Sequence, residues 1–167
     1  VDNVYQWRWS PRRLEAESVR DMVLDVAGNL DRRLGGVDID CAQGENVLRR
    51  SLYFRHAPEK QMEFLLLFDA AAPTQCYERR DSVMPQQALA MMNSELTQSR
   101  AAALAAQTTG EKDDTALICA AFIRLLIREP SPEELAACLD FLKPATPKLR
   151  EMFFLMMLNH HEFLTLR

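Results

Sequence analysis

Glycine is scarce in this chain, with five in 167 residues, while hydrophobic residues make up 48% and charged residues 26%. An all-β fold needs many tight turns, and so low a glycine count disfavours one. A chain of this length buries enough apolar surface to fold without a disulfide or a metal. We therefore predict one helical domain over residues 1–167.

Long apolar runs and an excess of positive charge are also missing. No stretch approaches the roughly 18 apolar residues of a membrane span, and the start lacks the basic and apolar regions of a signal peptide. Twenty basic and 24 acidic residues give a net charge of −4, which repels polyanions. We expect no membrane span and no nucleic-acid partner, and the Val start leads us to expect a fragment or mature form of a longer protein.

Motifs for metals, haem and common catalytic sites do not occur. The sequence has no C-x-x-C, C-x-x-C-H, G-x-S-x-G or H-E-x-x-H and no glycine-rich phosphate loop. His160 and His161 are adjacent, so on a helix their side chains would point about 100° apart, and no second ligand pair is spaced to join them. We expect no metal and no cofactor.

The four cysteines differ in their surroundings. Cys119 and Cys138 occupy apolar positions of predicted helices, where cysteine behaves as a small core residue. Cys41 and Cys76 lie in predicted loops, and in an exported protein these two could form a disulfide. The sequence does not decide that pairing.

The second half of the chain carries a series of helix-start signals. The strongest is Ser131-Pro132-Glu133-Glu134, a capping box with proline at the first helical position. We predict further helix starts at Pro85, Ser94 with a continuation to about 107, Asp113 or Asp114, Thr146-Pro147, and Asn159 with Glu162 as another capping box.

The first half is less regular. Ser10-Pro11 and the helical spacing of apolar residues after it predict a helix over about 11–31. After that helix we predict a polar loop at 37–48, a short extended segment at 50–55, a helix after Pro58, and a long ordered loop near 70–84. The fold class that results is all-α, an irregular bundle of about seven helical segments crossed by one long loop.

Charged residues on the first helix and in the long loop are the candidates for a site. Glu17 is spaced to pair with Arg13 and Arg20 on one helix face, and such a face is usually solvated. Arg79 and Arg80 stand side by side in the loop. They could bind an anion or a carboxylate, or they could clamp carbonyl groups inside the fold.

Several stretches together resemble a known family. They are "RRLEAESVRDMVLDVAGNLD" followed by "GG", "RRSLYFRH", "CYERRDSVMPQQALAMMN", "RLLIREPSPEELAACLDFL" and "LMMLNHHEFL". In this order they are similar to a C-terminal secreted domain of planctomycete-type bacteria, known as domain of unknown function 1553. The resemblance covers residues 11–164, and the ordered set is far more specific than any single motif.

The resemblance implies a location and a set of neighbours. Family members usually end large exported proteins, behind a partner domain and often with cytochrome c-like or immunoglobulin-like modules. A secreted or periplasmic C-terminal fragment is therefore expected. No established activity comes with the family.

The family's loop pattern is only partly kept. The family reads arginine, serine and two threonines before the proline, and here Ser82 fits whereas Val83 and Met84 replace the threonines. Any role that needs those hydroxyl groups is in doubt. Arg80, Gln87 and Asn93 also match the pattern.

Two hypotheses for the function follow. The first is a non-catalytic structural or interaction module that contacts the preceding domain of its parent chain, a cytochrome c-like module or a polysaccharide. The second is binding or hydrolysis of an anionic sugar, sulfated or uronic, in an arginine clamp with Glu17 or Glu78 as acid or base. The candidate ligand or interface residues are Arg12, Arg13, Glu17, Arg20, Arg79, Arg80, Ser82 and Gln87.

Overall fold

The computed structural model describes residue 5 and residues 10–74, 82–111, 113–143 and 146–166. In this part of the chain there are seven α-helices and one pair of short strands. The helices are α1 (Ala16–Val26), α2 (Glu63–Leu67), α3 (Pro85–Asn93), α4 (Glu95–Gln107), α5 (Asp114–Leu126), α6 (Pro132–Leu142) and α7 (Pro147–Leu158), and the strands are β1 (Arg12–Arg13) and β2 (Thr165–Leu166). The predicted all-α fold class is confirmed.

The core gathers apolar side chains from every helix. Helix α4 packs most extensively against α7, while α1 packs against α2, α4 and the 3₁₀ turn Ser51–Tyr53. The largest fully buried apolar side chains include Leu24, Met91, Leu96, Leu104, Leu117, Ile118, Leu142, Phe153, Leu158 and Phe163. Among the described helices, none combines the length and the apolar character that crossing a bilayer requires.

Local capping chemistry sets the helix starts of the second half. The side chains of Ser94 and Thr146 cap α4 and α7, and Ser131 opens α6 with both bonds of a capping box. Of the two candidates for α5, Asp113 is the cap, since its carboxylate accepts the Thr115 N–H at 2.9 Å. These predictions are confirmed.

The predicted capping box at Asn159 is wrong. Asn159 ends α7 as its C-cap, and the residues after it form turns before β2. The Glu162 carboxylate accepts two hydrogen bonds from Arg128, at 2.8 and 3.2 Å. A guanidinium that lies 34 positions earlier in the chain is a partner that no local motif reveals.

The first helix is shorter than predicted at both ends. Helix α1 begins at Ala16 because the chain before it pairs with the C-terminal strand, in antiparallel register with Arg12 opposite Leu166. It ends near Gly28, whose φ of 74° is a left-handed conformation that suits glycine. The predicted end near residue 31 lies five residues beyond the last helical residue, Val26.

The segment between α1 and α2 is mostly irregular. Two 3₁₀ turns, Cys41–Asn46 and Ser51–Tyr53, replace the predicted loop and extended segment, although Phe54 does form an isolated parallel bridge with Ile39. The helix predicted after Pro58 is only Glu63–Leu67.

Candidate functional site

Arg20 lies on the buried side of α1 with no exposed surface. Its Nη1 donates to the Arg49 carbonyl at 3.0 Å and to the Ser51 hydroxyl at 3.3 Å, and its Nη2 donates to the Val47 carbonyl. The guanidinium carbon is 4.8 Å from the centre of the Phe54 ring. Arg20 therefore fastens the irregular chain of residues 47–54 to α1, and the expectation that it lies on a solvated face is wrong.

The neighbouring Asp21 completes this attachment. One oxygen of its carboxylate accepts both the backbone N–H and the hydroxyl of Ser51, at 2.7 Å each, and the other accepts Arg50 Nε at 3.4 Å. Burial lowers the pKa of Arg20 to about 10, with the nearby Asp21 and Glu45 charges opposing the shift. Arg20 thus stays charged at neutral pH, and we call this set the Arg20 clamp.

A sequence signal for the burial of Arg20 does exist. The buried residues of α1 are Ala16, Val19, Arg20, Val23 and Leu24. Arg20 is four residues after Ala16 and three before Val23, so it shares the apolar stripe of the helix. The spacing of Arg20 to Glu17 instead predicted a position on the solvated face.

The exposed side of α1 lines a groove of about 470 Å³, which we call the α1 groove. Its apolar lining is Leu14, Met22, Leu30 and Leu52, and its polar lining is Glu17, Ser18, Asp21, Asp25, Arg32 and Arg50. Arg32 donates to Asp25 at 2.6 Å across this lining. A groove lined by both apolar and charged side chains has the composition of a docking surface.

A smaller cavity of about 200 Å³ adjoins the groove and shares Glu17 and Leu52 with it. Pockets that hold drug-sized ligands usually measure about 300–1,000 Å³, so this cavity suits a single side chain. Cys41 and the exposed His56 are among its lining residues. The Cys41 thiol donates to the Arg55 carbonyl at 2.9 Å, which gives this free thiol a role as a hydrogen-bond donor to the backbone.

The two cysteines of the later helices were predicted to be core residues. Cys119 and Cys138 lie in α5 and α6 as half-buried free thiols. Burial raises the pKa of Cys138, and the charge of Glu134 adds to that effect. Both observations fit small packing residues rather than reactive thiolates.

Ser82 and Gln87, two of the predicted site residues, lie together at a third place. Asp69 Oδ2 accepts the Ser82 N–H at 2.9 Å, the Ser82 hydroxyl at 2.6 Å and Gln87 Nε2 at 3.3 Å. Gln87, which is 1% exposed, also donates to the Leu67 carbonyl at 2.9 Å. The cluster ties the end of α2 to the start of α3.

Two buried polar atoms near this cluster have no hydrogen-bond partner, Gln87 Oε1 and Arg13 Nε. Burial lowers the pKa of Arg13, and the charge of Asp69 opposes that shift. Sequence reasoning missed Asp69, because nothing in its surroundings in the chain indicates that Ser82 and Gln87 return to it.

The remaining predicted residues are dispersed. Arg12 and Arg13 form β1, and Glu17 lines both the groove and the cavity. Arg79 and Arg80 lie outside the described residues, as do Cys76 and Glu78, so the predictions for them stay predictions.

The adjacent histidines contact each other and the nearby backbone. The rings of His160 and His161 are 4.7 Å apart, and His160 Nδ1 accepts the Glu162 N–H at 3.3 Å. Burial lowers the pKa of His160, and the neighbouring His161 adds to the shift. In the ranges that the structure describes, no group of three or more His, Cys, Asp or Glu residues is arranged to hold a metal ion.

Comparison with known proteins adds one finding. The sequence model of the family PSD1, described as "Protein of unknown function (DUF1553)", matches residues 1–142. Four of the five stretches that carry the resemblance end within that range, and "LMMLNHHEFL" lies beyond it. No curated protein and no solved structure matches at a significant level. Since the matched range holds most of the chain, from β1 to the end of α6, this protein belongs to the DUF1553 family.

Proposed function

We propose that this domain is a non-catalytic interaction module of a larger exported protein, and that it binds another polypeptide along the α1 groove. The observation that carries the proposal is the groove itself, which four apolar side chains line together with three carboxylates of α1 and two arginines that follow it in the chain. Recognition surfaces of this kind bury apolar anchors and use the charged rim for register and specificity.

The Arg20 clamp supports this proposal from beneath the groove. It fixes residues 47–54 against α1, and this segment supplies Leu52 and Arg50 to the groove wall. A wall that is already ordered loses little conformational entropy when a partner binds.

The chemistry of the polar side chains also favours binding over catalysis. Cys41, Asp21 and Asp69 each bond to backbone groups of their own chain. A nucleophile or a general base needs a free reactive atom within reach of a substrate.

The experiment compares the domain alone with the domain inside its parent protein. Hydrogen exchange of α1 and residues 47–54 should slow in the parent protein if a neighbouring domain covers the groove. Leu52→Asp, at a leucine that is 56% exposed, should remove this protection, while the control Leu89→Asp, at a leucine on α3 that is 58% exposed, should leave it unchanged. Equal exchange in both contexts, and no effect of Leu52→Asp on any binding of the parent protein, would refute the proposal.

The partners that the family resemblance implies give this test its candidates. The polypeptide candidates are the preceding domain of the parent chain and a cytochrome c-like module, while the third expected partner, a polysaccharide, belongs to the second candidate function. The extracytoplasmic location is part of the same proposal and rests on the resemblance.

The second candidate function is binding of a sulfated or uronic sugar. The observation that favours it is the unpartnered Nε of Arg13, a buried cationic donor. Arg79 and Arg80, the other predicted parts of this clamp, lie outside the described residues. Titration with sulfated and neutral forms of one oligosaccharide, against wild type and Arg80→Ala, tests it: equal response to both sugars would exclude an anion clamp.

A further inference from the structure

The loop of residues 33–37 is held in one conformation. Gly35 and Gly36 have φ values of 73° and 101°, and a Cβ atom on Gly36 would lie 3.1 Å from Arg49 Nη1. Arg49 lies 3.9 Å over the Tyr53 ring and donates to the Gly35 carbonyl, while the Gly35 N–H donates to the Tyr53 hydroxyl at 3.0 Å. The loop is therefore ordered by contacts through its backbone.

This ordered loop buries neither of its large apolar side chains. Leu34 is 85% exposed and Val37 is 83% exposed. A partner can bury apolar side chains of a loop whose backbone is already ordered with little further loss of backbone entropy.

The α1 groove of the same molecule complements this loop in apolar character and in charge. Its lining includes four apolar side chains, and at about 470 Å³ it is in the size range of pockets that hold ligands larger than two aliphatic side chains. Its carboxylates Glu17, Asp21 and Asp25 recur every fourth residue along α1, whereas the loop directly follows Arg32 and begins with Arg33. An apolar loop with an arginine base thus matches an apolar groove with a carboxylate wall.

We infer that the α1 groove receives the 33–37 loop of a second copy of this chain, and that two copies exchange loops in a two-fold symmetric dimer. The inference rests on the proposed function, because it names the partner for the same groove. Arg32 lines the groove and directly precedes the loop, so loop and groove lie side by side. A two-fold axis then satisfies both contacts at once and closes the assembly.

The ion pair at the groove can exchange between copies. The side chains of Arg32 and Asp25 are 71% and 44% exposed and meet at 2.6 Å. An exposed pair contributes little to the stability of the monomer, so Arg32 can pair instead with Asp25 of the second copy. Binding of the loop to an anionic membrane is less favoured, since the carboxylates of the adjoining α1 groove repel anionic lipid.

Sedimentation equilibrium of the domain over a range of concentrations is the first test. We expect a monomer–dimer equilibrium that Val37→Asp weakens about tenfold or more, because burial of a charge replaces burial of a valine. The matched control is Val83→Asp, at a valine that is 82% exposed, and it should dimerise like wild type. Both variants lie at exposed positions, and circular dichroism checks that each is folded.

A charge exchange is the second test, and it responds only to contact between copies. Arg32→Glu alone and Asp25→Arg alone should each dimerise weakly, since like charges face each other at both contacts. An equimolar mixture of the two variants should regain most of the association, because each contact then joins opposite charges.

Three outcomes would overturn the inference. One is a wild-type domain that stays monomeric up to about 1 mM, the range of weak binding. Another is a mixture of the charge variants that associates no better than its components. The third is a Val37→Asp variant that dimerises like wild type but loses binding to anionic vesicles. A monomeric domain whose α1 is still protected inside the parent protein would leave the proposed function standing and assign the groove to a neighbouring domain.

Discussion

The two halves of this domain hold their backbones in place by different means. In residues 10–74 only α1 and the short α2 are α-helical, and arginine side chains donate to the carbonyl groups of irregular chain. In residues 82–166 five helices satisfy their own backbones and pack through apolar faces. Buried backbone groups need partners in either case, so side chains replace the missing helix and sheet bonds in the first half.

Arginines serve the second half too, but at helix ends. Arg150 donates to the carbonyls of Thr108 and Glu111, just beyond α4, at 2.7 and 3.0 Å. Arg128 joins Glu134 near the start of α6 to Glu162 in the turn after α7. The side chains of Arg128 and Arg150 are 30% and 17% exposed, whereas that of Arg20 has no exposed surface, so water can replace less of what Arg20 provides.

The largest effect should therefore come from Arg20→Met. The substitution keeps an unbranched apolar stem but leaves the Val47 and Arg49 carbonyls without their donor and removes the positive charge near Asp21. We expect a loss of about 3 kcal/mol or more in the free energy of unfolding. Urea denaturation measures it. The matched control Arg32→Met removes an exposed arginine and should cost less than about 1 kcal/mol.

Hydrogen exchange shows which segment loses stability in Arg20→Met. If the Arg20 clamp fastens residues 47–54 to α1, the amides of this segment should exchange much faster in Arg20→Met while those of α5 and α7 keep their order of protection. A uniform change over the whole chain would mean that the two halves are not held independently.

Arg128→Met should have a smaller effect, about 1–2 kcal/mol. Arg128 donates to Glu134 at 2.6 and 2.7 Å and to Glu162 at 2.8 Å, but its side chain is 30% exposed. Water can replace part of the hydrogen bonding that Arg128 provides. A loss as large as that of Arg20→Met in the same urea experiment would contradict the comparison between the two halves.

Acid should weaken the ion pair between Arg128 and Glu134 at a pH that can be predicted. Hydrogen bonds from Arg128, and then from the Ser131 N–H, lower the pKa of Glu134 from 4.5 to about 2. Because the pKa is lower in the folded state, the contribution to stability is complete above pH 4.5 and is lost as the pH falls through about 2. Thermal unfolding between pH 7 and pH 2 should show a shallower acid decline for Glu134→Gln, which keeps a capping residue.

Asp31 in the first half gives the control for this pH dependence. A hydrogen bond from Arg33 lowers the pKa of Asp31 to about 2 as well. The two residues are only two positions apart and their pair can form without the fold, so Asp31→Asn should leave the acid decline unchanged. NMR titration should find both carboxyl groups with midpoints near pH 2, and a Glu134 midpoint near 4.5 would mean that Arg128 does not hold it.

The same division explains what the sequence could predict. The starts of α4, α6 and α7 are predictable because a capping side chain and its helix are neighbours in the chain, and the start of α3 is predictable because Pro85 is its first residue. The true start of α1 is not, because it depends on pairing between Arg12 and Leu166 at the two ends of the chain.

The candidate site was predictable only where a local or family pattern reached it. Ser82 and Gln87 follow from the resemblance, but their common acceptor Asp69 lies 13 and 18 positions earlier. The carbonyls that Arg20 binds are 27 and 29 positions away from it. Helical spacing can place an arginine on the buried face, but it cannot show which irregular backbone meets it there.

The smallest expected effect is a gain, at the one described residue in the second half whose backbone is unfavourable for its type. Ile127 ends α5 in a left-handed conformation with φ of 56°, and its side chain is 88% exposed. This conformation costs an L-residue roughly 1–2 kcal/mol, and the exposed side chain has little packing to lose. Ile127→Gly should raise the free energy of unfolding by about 0.5–1 kcal/mol, after allowance for the greater freedom of glycine in the unfolded chain.

The control at the same position is Ile127→Ala, which keeps a Cβ atom and therefore most of the strain. Urea denaturation should place it within about 0.5 kcal/mol of wild type. Gly36→Ala in the first half should act in the opposite direction, since its φ of 101° and the contact at 3.1 Å with Arg49 both disfavour a Cβ atom. If Ile127→Gly instead destabilises the protein, the isoleucine contributes contacts that outweigh its backbone strain, and the regular half depends on side-chain contacts at its exposed ends as well as in its core.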